Sequence, residues 1–176
     1  MRRPLFVTRD KEWELIQQLM TQVDNSDFDP TDTAVLMVSP DYSATVAMHL
    51  AHAWSKDGHM LDIIPIDVTY PDEEDTMYRA KLMYDFAHRA KDYKHLVLVE
   101  AGIIRGGNWT WMLEELNTLG FERDDVTMVA LYENIHSRVK SDYVAEYYND
   151  DEEDLTFYFE KFNKHWVAEP KKILNT

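Results

Sequence analysis

The sequence of 176 residues contains no cysteine, few glycines and prolines, and no long apolar run. Because cysteine is absent, the chain can form neither disulfide bonds nor thiolate metal sites. No apolar stretch approaches the roughly 18 residues that a membrane-spanning helix needs. The apolar run after the basic N-terminus ends at Thr8, which is too early for a signal peptide. We therefore expect a cytoplasmic protein that does not bind membranes.

Positive charge is also scarce, since 18 lysines and arginines stand against 33 aspartates and glutamates and give a net charge of -15. Such an acidic chain repels phosphate backbones, so we expect no nucleic-acid partner. The charge would suit a basic protein partner, although solubility accounts for it more simply. An apolar content of 45% is typical of a folded protein, and the length favours a single domain. The sequence leaves open whether the protein forms a homo-oligomer.

Apolar segments of strand length alternate along the chain with segments of helical periodicity. Runs of branched apolar residues predict strands at residues 34–38, 61–66, 96–99 and 126–132. Apolar residues three and four positions apart predict helices at residues 11–23, 43–58, 82–90 and from 109 onward. The alternation predicts an α/β domain of three layers, in which helices cover both faces of a mainly parallel sheet.

Smaller signals mark where these elements begin and end. Asp10 and Ser43 carry side chains that can cap the first two helices. Residues 39–43 are predicted to form a turn. Pro65 is expected either near the end of its strand or in a strand at an edge of the sheet. Polar composition predicts loops at residues 24–32, 69–76 and 149–154.

The most informative stretch runs from residue 95 to residue 109. Residues 96–99 are apolar, as in a strand buried on both faces. Glu100 and a glycine-bearing turn follow, and from Trp109 onward apolar residues recur at the spacing of a helix. A turn between strand and helix points backbone N–H groups at an anion, usually phosphate. The stretch has neither Gly-x-Gly-x-x-Gly nor Gly-Lys-Ser/Thr, which excludes the dinucleotide-binding and P-loop motifs. Because ligands bind beyond the carboxyl ends of parallel strands, residues 39–43 and 100–108 are the candidate site.

Each residue of this stretch has a functional and a simpler interpretation. Glu100 can accept hydrogen bonds from sugar hydroxyls or hold a metal ion, or it can pair with Arg105. Gly106 and Gly107 let the backbone approach a phosphate, to which Arg105 and Asn108 would add donors. The simpler alternative is an ordinary turn with permissive glycines.

The stretch resembles the ribose-phosphate loop of the phosphoribosyltransferase family. In that family, four apolar residues lead into two acids, two aliphatic residues and a short turn that holds the 5′-phosphate. Residues 96–99 match the apolar lead, Glu100 the first acid, and Arg105 with Gly106 the turn. Ala101 replaces the second acid. The resemblance implies that the acid holds the ribose.

The tail resembles that of the bacterial xanthine and hypoxanthine-guanine phosphoribosyltransferases. Residues 129–132 match the last core strand, and residues 141–145 match an Asp-Tyr-Val segment that precedes the base-binding hood. The resemblance spans about residues 34–160 and implies a single domain of the type I phosphoribosyltransferase fold over residues 1–176. It places the core at residues 34–132 and a small C-terminal hood at residues 133–168.

The resemblance also implies a role for each candidate residue. Glu100 would hold the ribose and a Mg²⁺ ion, and the 5′-phosphate would lie on Arg105, Gly106, Gly107 and Asn108. The pyrophosphate loop would contain Ser39, Asp41 and Ser43, and the base would contact Asn134 and Phe157. The family has an arginine and glycines in that loop and a lysine at the position of Asn134, so the sequence departs from the pattern at both places.

Two main functions therefore stay open at this point, beside the weaker alternative of an acidic decoy that blocks nucleic-acid-binding proteins. The first is purine phosphoribosyl transfer from Mg²⁺-bound phosphoribosyl pyrophosphate, which the fold resemblance implies. The second is a catalytically inactive nucleotide-binding or regulatory protein that acts through its acidic surface on a protein partner. The missing second acid and the altered pyrophosphate loop favour the second function, whereas the preserved order of the segments favours the first.

Overall fold

Strands and helices alternate along the computed structural model, which describes residues 2–26, 28–66 and 86–158. Within these ranges the strands are β1 (Arg3–Val7), β2 (Thr33–Val38), β3 (Asp62–Ile66), β4 (His95–Ile103), β5 (Val126–Asn134), β6 (Tyr143–Tyr148) and β7 (Glu153–Phe157). The helices are α1 (Arg9–Gln22), α2 (Pro40–Ala53) and α3 (Gly107–Thr118), and residues 86–90 are also helical. The predicted loop at residues 69–76 and the start of the predicted helix at residues 82–90 lie outside the described residues.

Parallel strands form the main sheet in the order β3-β2-β4-β5-β6. β4 lies at the centre, and nearly all of its nine residues are buried, as its apolar run predicts. β3 pairs only with β2 among the described strands, so Pro65 lies in an edge strand, as predicted. The predicted α/β fold with a mainly parallel sheet is confirmed.

Side chains of β4 alternate between two apolar clusters on opposite faces of the sheet. Val97 and Val99 pack in the cluster that contains Leu50 of α2 and the buried side of α1. Leu96 and Leu98 pack in the other cluster, with Trp109 of α3. The sheet is therefore covered on both faces, which gives the three predicted layers.

The helix starts differ from the predicted ones. Thr8, not Asp10, caps α1, because its Oγ1 accepts a hydrogen bond of 3.2 Å from the amide of Lys11. α2 begins at Pro40, whose fixed φ suits a first helical position, so the predicted turn at residues 39–43 is reduced to Ser39. The prediction that Ser43 caps this helix is therefore wrong.

The tail is more regular than its sequence indicated. β6 joins the main sheet beside β5, and β7 pairs in parallel with β1 in a second sheet of two strands. The predicted loop at residues 149–154 ends earlier than expected, because β7 begins at Glu153. The division into a core and a hood stays a prediction. No helix in the described ranges is long and apolar enough to span a membrane.

Candidate functional site

A cleft of about 300 Å³ opens at the carboxyl ends of β2 and β4, where the sequence placed the candidate site. Its lining residues come from both strand ends, from the first turns of α2 and α3, and from β7: Ser39, Tyr42, Glu100, Gly102, Ile104, Asn108, Leu155 and Phe157. A smaller cavity of about 120 Å³ adjoins it, lined by Glu100 and residues 102–109. Glu100 and Asn108 line both cavities.

The start of α3 presents free backbone donors to the smaller cavity. Gly106 precedes the helix and has a left-handed φ of 74°. The first helical hydrogen bond runs from the amide of Thr110 to the carbonyl of Gly106 over 3.0 Å. The amides of Gly107, Asn108 and Trp109 therefore belong to the unbonded first turn, and no described group accepts from them. Three N–H groups and the positive end of the helix dipole meet here, which suits an anion.

Packing as well as conformation requires glycine at position 106. A Cβ atom there would lie 2.7 Å from Oγ of Ser137 and 3.1 Å from the backbone nitrogen of Val139. The Ser137 side chain is held in place, because its hydroxyl donates to the carbonyl of Val139 over 2.7 Å. The turn before α3 is thus fixed against the segment that follows β5.

Glu100 is a buried carboxyl group with one oxygen unused. The sequence predicted that Glu100 follows the strand, but β4 continues to Ile103, so Glu100 lies within it. Glu100 is only 5% exposed. Oε1 accepts a hydrogen bond of 3.1 Å from Nδ2 of Asn108, and Oε2 has no hydrogen-bond partner. Burial raises the pKa of Glu100 to about 7, and the bond from Asn108 opposes this shift. Such a group favours a ligand that brings a donor or a cation.

Arg105 lies at the rim of the smaller cavity with an exposed side chain. Its carbonyl accepts a hydrogen bond of 3.3 Å from the amide of Arg138. In the described part of the chain no ion pair joins Arg105 to Glu100, so the simpler interpretation of Glu100 as the partner of Arg105 is wrong.

Of the residues assigned to the pyrophosphate loop, the structure brings Ser39 to the cleft. Ser39 has a left-handed φ of 51°, and its amide donates to the carbonyl of Ile66 over 3.0 Å. The hydroxyl of Ser43 is buried and donates to the carbonyl of Val38 instead. Asp41 lies in the first turn of α2, and its side chain lies outside what the structure describes.

The two residues assigned to the base lie in different places. Asn134 is 1% exposed, its Nδ2 donates to the carbonyl of Ile104 over 2.8 Å, and its Oδ1 accepts from the amide of His136 over 3.1 Å. Its amide thus fixes two loops and does not line the cleft. Phe157 does line the cleft, but it is also a core residue whose ring meets that of Tyr132 edge-on at 6.1 Å.

Sequence reasoning missed the contribution of β7 to the cleft. Leu155 and Phe157 project beside Gly102, where a Cβ atom would come within 3.3 Å of both side chains. The alternation of Leu155 and Phe157 with polar residues was a signal for a half-buried strand. Glycine at position 102 lets β7 pack closely on β4.

No protein-family model matches the sequence, and no curated protein matches it. Solved structures do share its fold. A purine phosphoribosyltransferase from Pyrococcus horikoshii is 16% identical, with a TM-score of 0.61 over 88% of this chain and 91% of that one. A xanthine-guanine-hypoxanthine phosphoribosyltransferase from Helicobacter pylori is 13% identical, with a TM-score of 0.60 over 96% of this chain and 100% of that one.

A third structure with this fold is a hypoxanthine-guanine phosphoribosyltransferase from Leishmania tarentolae in complex with GMP. It is 15% identical, with a TM-score of 0.59 over 84% of this chain and 82% of that one. At these identities the similarity concerns the fold. The chain has the type I phosphoribosyltransferase fold, as the motif at residues 96–106 indicated.

Proposed function

We propose that the protein binds a ligand containing ribose 5-phosphate, with its phosphate at the start of α3 and its sugar beside Glu100. One observation carries the proposal: the free amides of Gly107, Asn108 and Trp109 and the unused oxygen of Glu100 meet at one cavity. Donors for an anion and an acceptor for a hydroxyl group thus lie side by side. A sugar phosphate has both groups, a few bonds apart.

The phosphate position rests on the electrostatics of the loop. The described side chains that line the smaller cavity include one cation, Arg105, and one carboxyl, Glu100. Because the pKa of Glu100 is raised to about 7, that carboxyl is partly neutral near neutral pH and repels a phosphate less than an ordinary glutamate would. The helix start contributes about 0.3–2 kcal/mol to the binding of an anion.

The ribose position rests on the unused oxygen of Glu100. A buried acceptor without a partner costs about 1–3 kcal/mol, which a ligand hydroxyl would recover. Asn108 holds the carboxyl by its other oxygen, so the free oxygen keeps one orientation. The sugar would then be fixed between this oxygen and the phosphate on α3.

The residues present also fit a Mg²⁺ ion that arrives with the ligand. Mg²⁺ prefers oxygen ligands and commonly takes one or two carboxylates together with phosphate oxygens. Oε2 of Glu100 is such an oxygen without a partner. No group of three or more metal-ligating side chains occurs in the described residues, so the ligand itself would supply most of the oxygens. When bound, the ion would neutralise charge on a diphosphate.

The reaction proposed for this site is purine phosphoribosyl transfer from phosphoribosyl pyrophosphate. Its support is the fold shared with purine phosphoribosyltransferases and the Leishmania tarentolae structure that holds GMP. The protein would contribute by positioning and electrostatics, with α3 fixing the phosphate and Glu100 orienting the sugar.

A second candidate function, binding without turnover, is favoured by two observations. Ala101 is fully buried in the apolar cluster with Val99 and Phe157, so this position supplies no carboxylate to the cleft. Only Ser39 separates β2 from α2, where the family pattern has a loop with an arginine. The protein would then be a nucleotide-binding regulator that contacts a protein partner through its acidic surface.

Calorimetric titration with ribose 5-phosphate tests the site, and pyrophosphate release with each purine tests turnover. We expect saturable binding of ribose 5-phosphate and a loss of about tenfold or more in affinity for Glu100→Ala. The matched control is Glu114→Ala, which removes an exposed carboxylate from α3 and should change nothing. Unchanged affinity in Glu100→Ala contradicts the site. Binding of phosphoribosyl pyrophosphate with Mg²⁺ but without pyrophosphate release supports the second function.

A further inference from the structure

A separate cavity of about 650 Å³ lies between α1 and α2. Its described lining residues include Glu12 and Trp13 of α1, His49 of α2, and Tyr158 just after β7. None of the described residues that line it lines the cleft beside Glu100. The cavity is thus distinct from the proposed ribose-phosphate site.

The floor of this cavity carries a buried carboxyl group. Glu12 is 2% exposed and occupies the buried stripe of α1, in line with Leu15 and Leu19. Oε1 of Glu12 has no hydrogen-bond partner. Tyr158 bonds to the carboxyl group, but burial still raises the pKa of Glu12. A carboxyl in a stripe that otherwise takes leucine and isoleucine destabilises the helix packing unless a partner satisfies it.

Two aromatic rings stand beside this carboxyl. Trp13 is 42% exposed, and its ring centroid lies 4.9 Å from that of His49 with the planes at 65°. An accessible indole attracts cations to its face and stacks with flat groups. Arg9 and Asp10 also line the cavity, and the charge of Arg9 opposes the rise in the pKa of Glu12 without cancelling it.

We propose that this cavity binds a planar organic cation with N–H donors, an amidinium or a guanidinium, that bonds to Glu12 and lies against Trp13. Oε1 of Glu12 would accept an N–H group of the cation in a charge-assisted hydrogen bond, while Tyr158 keeps its own bond to the carboxyl group. The cation satisfies the unused oxygen, and its flat face contacts the indole. The molecule would thus hold two ligands of opposite charge, an anion on α3 and a cation on α1.

Calorimetric titration of the full chain with benzamidine, and in parallel with benzamide, tests the proposal. Benzamide has nearly the same shape but no charge. We expect saturable binding of benzamidine below about 10 mM and at least tenfold weaker binding of benzamide. Glu12→Gln should reduce the benzamidine affinity about tenfold or more, to the level of benzamide.

Trp13→Ala keeps the proposal testable if Glu12→Gln fails to fold, because Trp13 is partly exposed. We expect this variant to bind benzamidine several-fold more weakly and to keep its affinity for ribose 5-phosphate. Equal affinities for benzamidine and benzamide, no saturation, or unchanged affinity in either variant overturns the proposal.

Discussion

The side-chain amide of Asn108 donates a hydrogen bond of 3.1 Å to Oε1 of Glu100 and so joins the first turn of α3 to the buried end of β4. This bond leaves one acceptor on each residue, Oδ1 of Asn108 and Oε2 of Glu100, without a partner. Free amides of the same helix turn lie at the same cavity. The pair therefore sets acceptors and donors side by side before any ligand binds.

Glu100→Gln should change how stability depends on pH. Because burial raises the pKa of Glu100 from 4.5 to about 7, the unfolded chain ionises first. The contribution of Glu100 is thus complete below about pH 4.5 and is lost as pH rises to about 7, a change of about 3 kcal/mol. We expect Glu100→Gln to equal the wild type near about pH 4 and to be more stable near about pH 8 in urea denaturation. Glu114→Gln, an exposed control, should follow the wild-type profile; a parallel profile for Glu100→Gln would contradict the assignment.

Gly106→Ala should remove anion binding and destabilise the fold. The left-handed φ of 74° strains any alanine there, and its Cβ would meet the Ser137 hydroxyl at 2.7 Å. Gly58→Ala is the matched control, since Gly58 has a similar φ of 79° and no atom within 4 Å of the added Cβ. We expect Gly106→Ala to lose about 1–2 kcal/mol more than Gly58→Ala in chemical denaturation. Equal losses would show that the contact with Ser137 is unimportant.

Glu133→Ala should loosen the segment that follows β5. The Glu133 carboxylate is fully buried, accepts from the Ser141 amide at 2.8 Å and hydroxyl at 2.7 Å, and lies 3.0 Å from Nζ of Lys140. Its loss leaves the part-buried donors of Ser141 unpaired, at a cost of about 1–3 kcal/mol. Glu146 pairs with Lys11 at 2.9 Å, but both side chains are more than a third exposed to solvent, so Glu146→Ala should cost less than about 1 kcal/mol. Thermal denaturation of both variants measures the difference, and a reversed order would refute it.

Thr8→Ala should shorten α1 at its start. The Thr8 hydroxyl satisfies the amide of Lys11, and its loss should cost about 1 kcal/mol. Asp10→Ala removes a first-turn acid that interacts favourably with the helix dipole, so its cost should stay near about 0.3–1 kcal/mol. Helical circular dichroism and urea midpoints distinguish the two. A larger effect for Asp10→Ala would restore Asp10 as the cap.

Local signals predicted the strand, turn and helix at residues 95–118, because a run of apolar residues, an acid and a glycine turn follow one another without interruption. The start of α2 could have been predicted from Pro40, because proline favours the first helical position. The polar run at residues 39–43 was instead interpreted as a turn. The extension of β4 through Glu100 to Ile103 could not be predicted, because a carboxyl residue interrupts the apolar pattern that indicates a buried strand. Only its bond to Asn108 explains how the strand tolerates it.

Pairings between distant segments could not be predicted from the sequence. The hydrogen bond from the side-chain amide of Asn134 to the carbonyl of Ile104 joins the ends of β5 and β4. Nothing near Asn134 in the sequence indicates this bond. The same holds for β7, whose partner β1 lies at the other end of the described chain. Sequence patterns show which face of a strand is apolar, but the partner depends on how the whole sheet assembles.

The pairing of β1 with β7 has a consequence for protein synthesis. Arg3 and Glu153, which meet in this pairing, are 150 positions apart. At ordinary translation rates of 5–20 residues per second, β1 waits about 10–30 s for its partner strand to be made. Arg3 and Pro4 of β1 are residue types that discourage pairing with foreign strands. The second sheet can therefore form only after the residues of β7 have been synthesised.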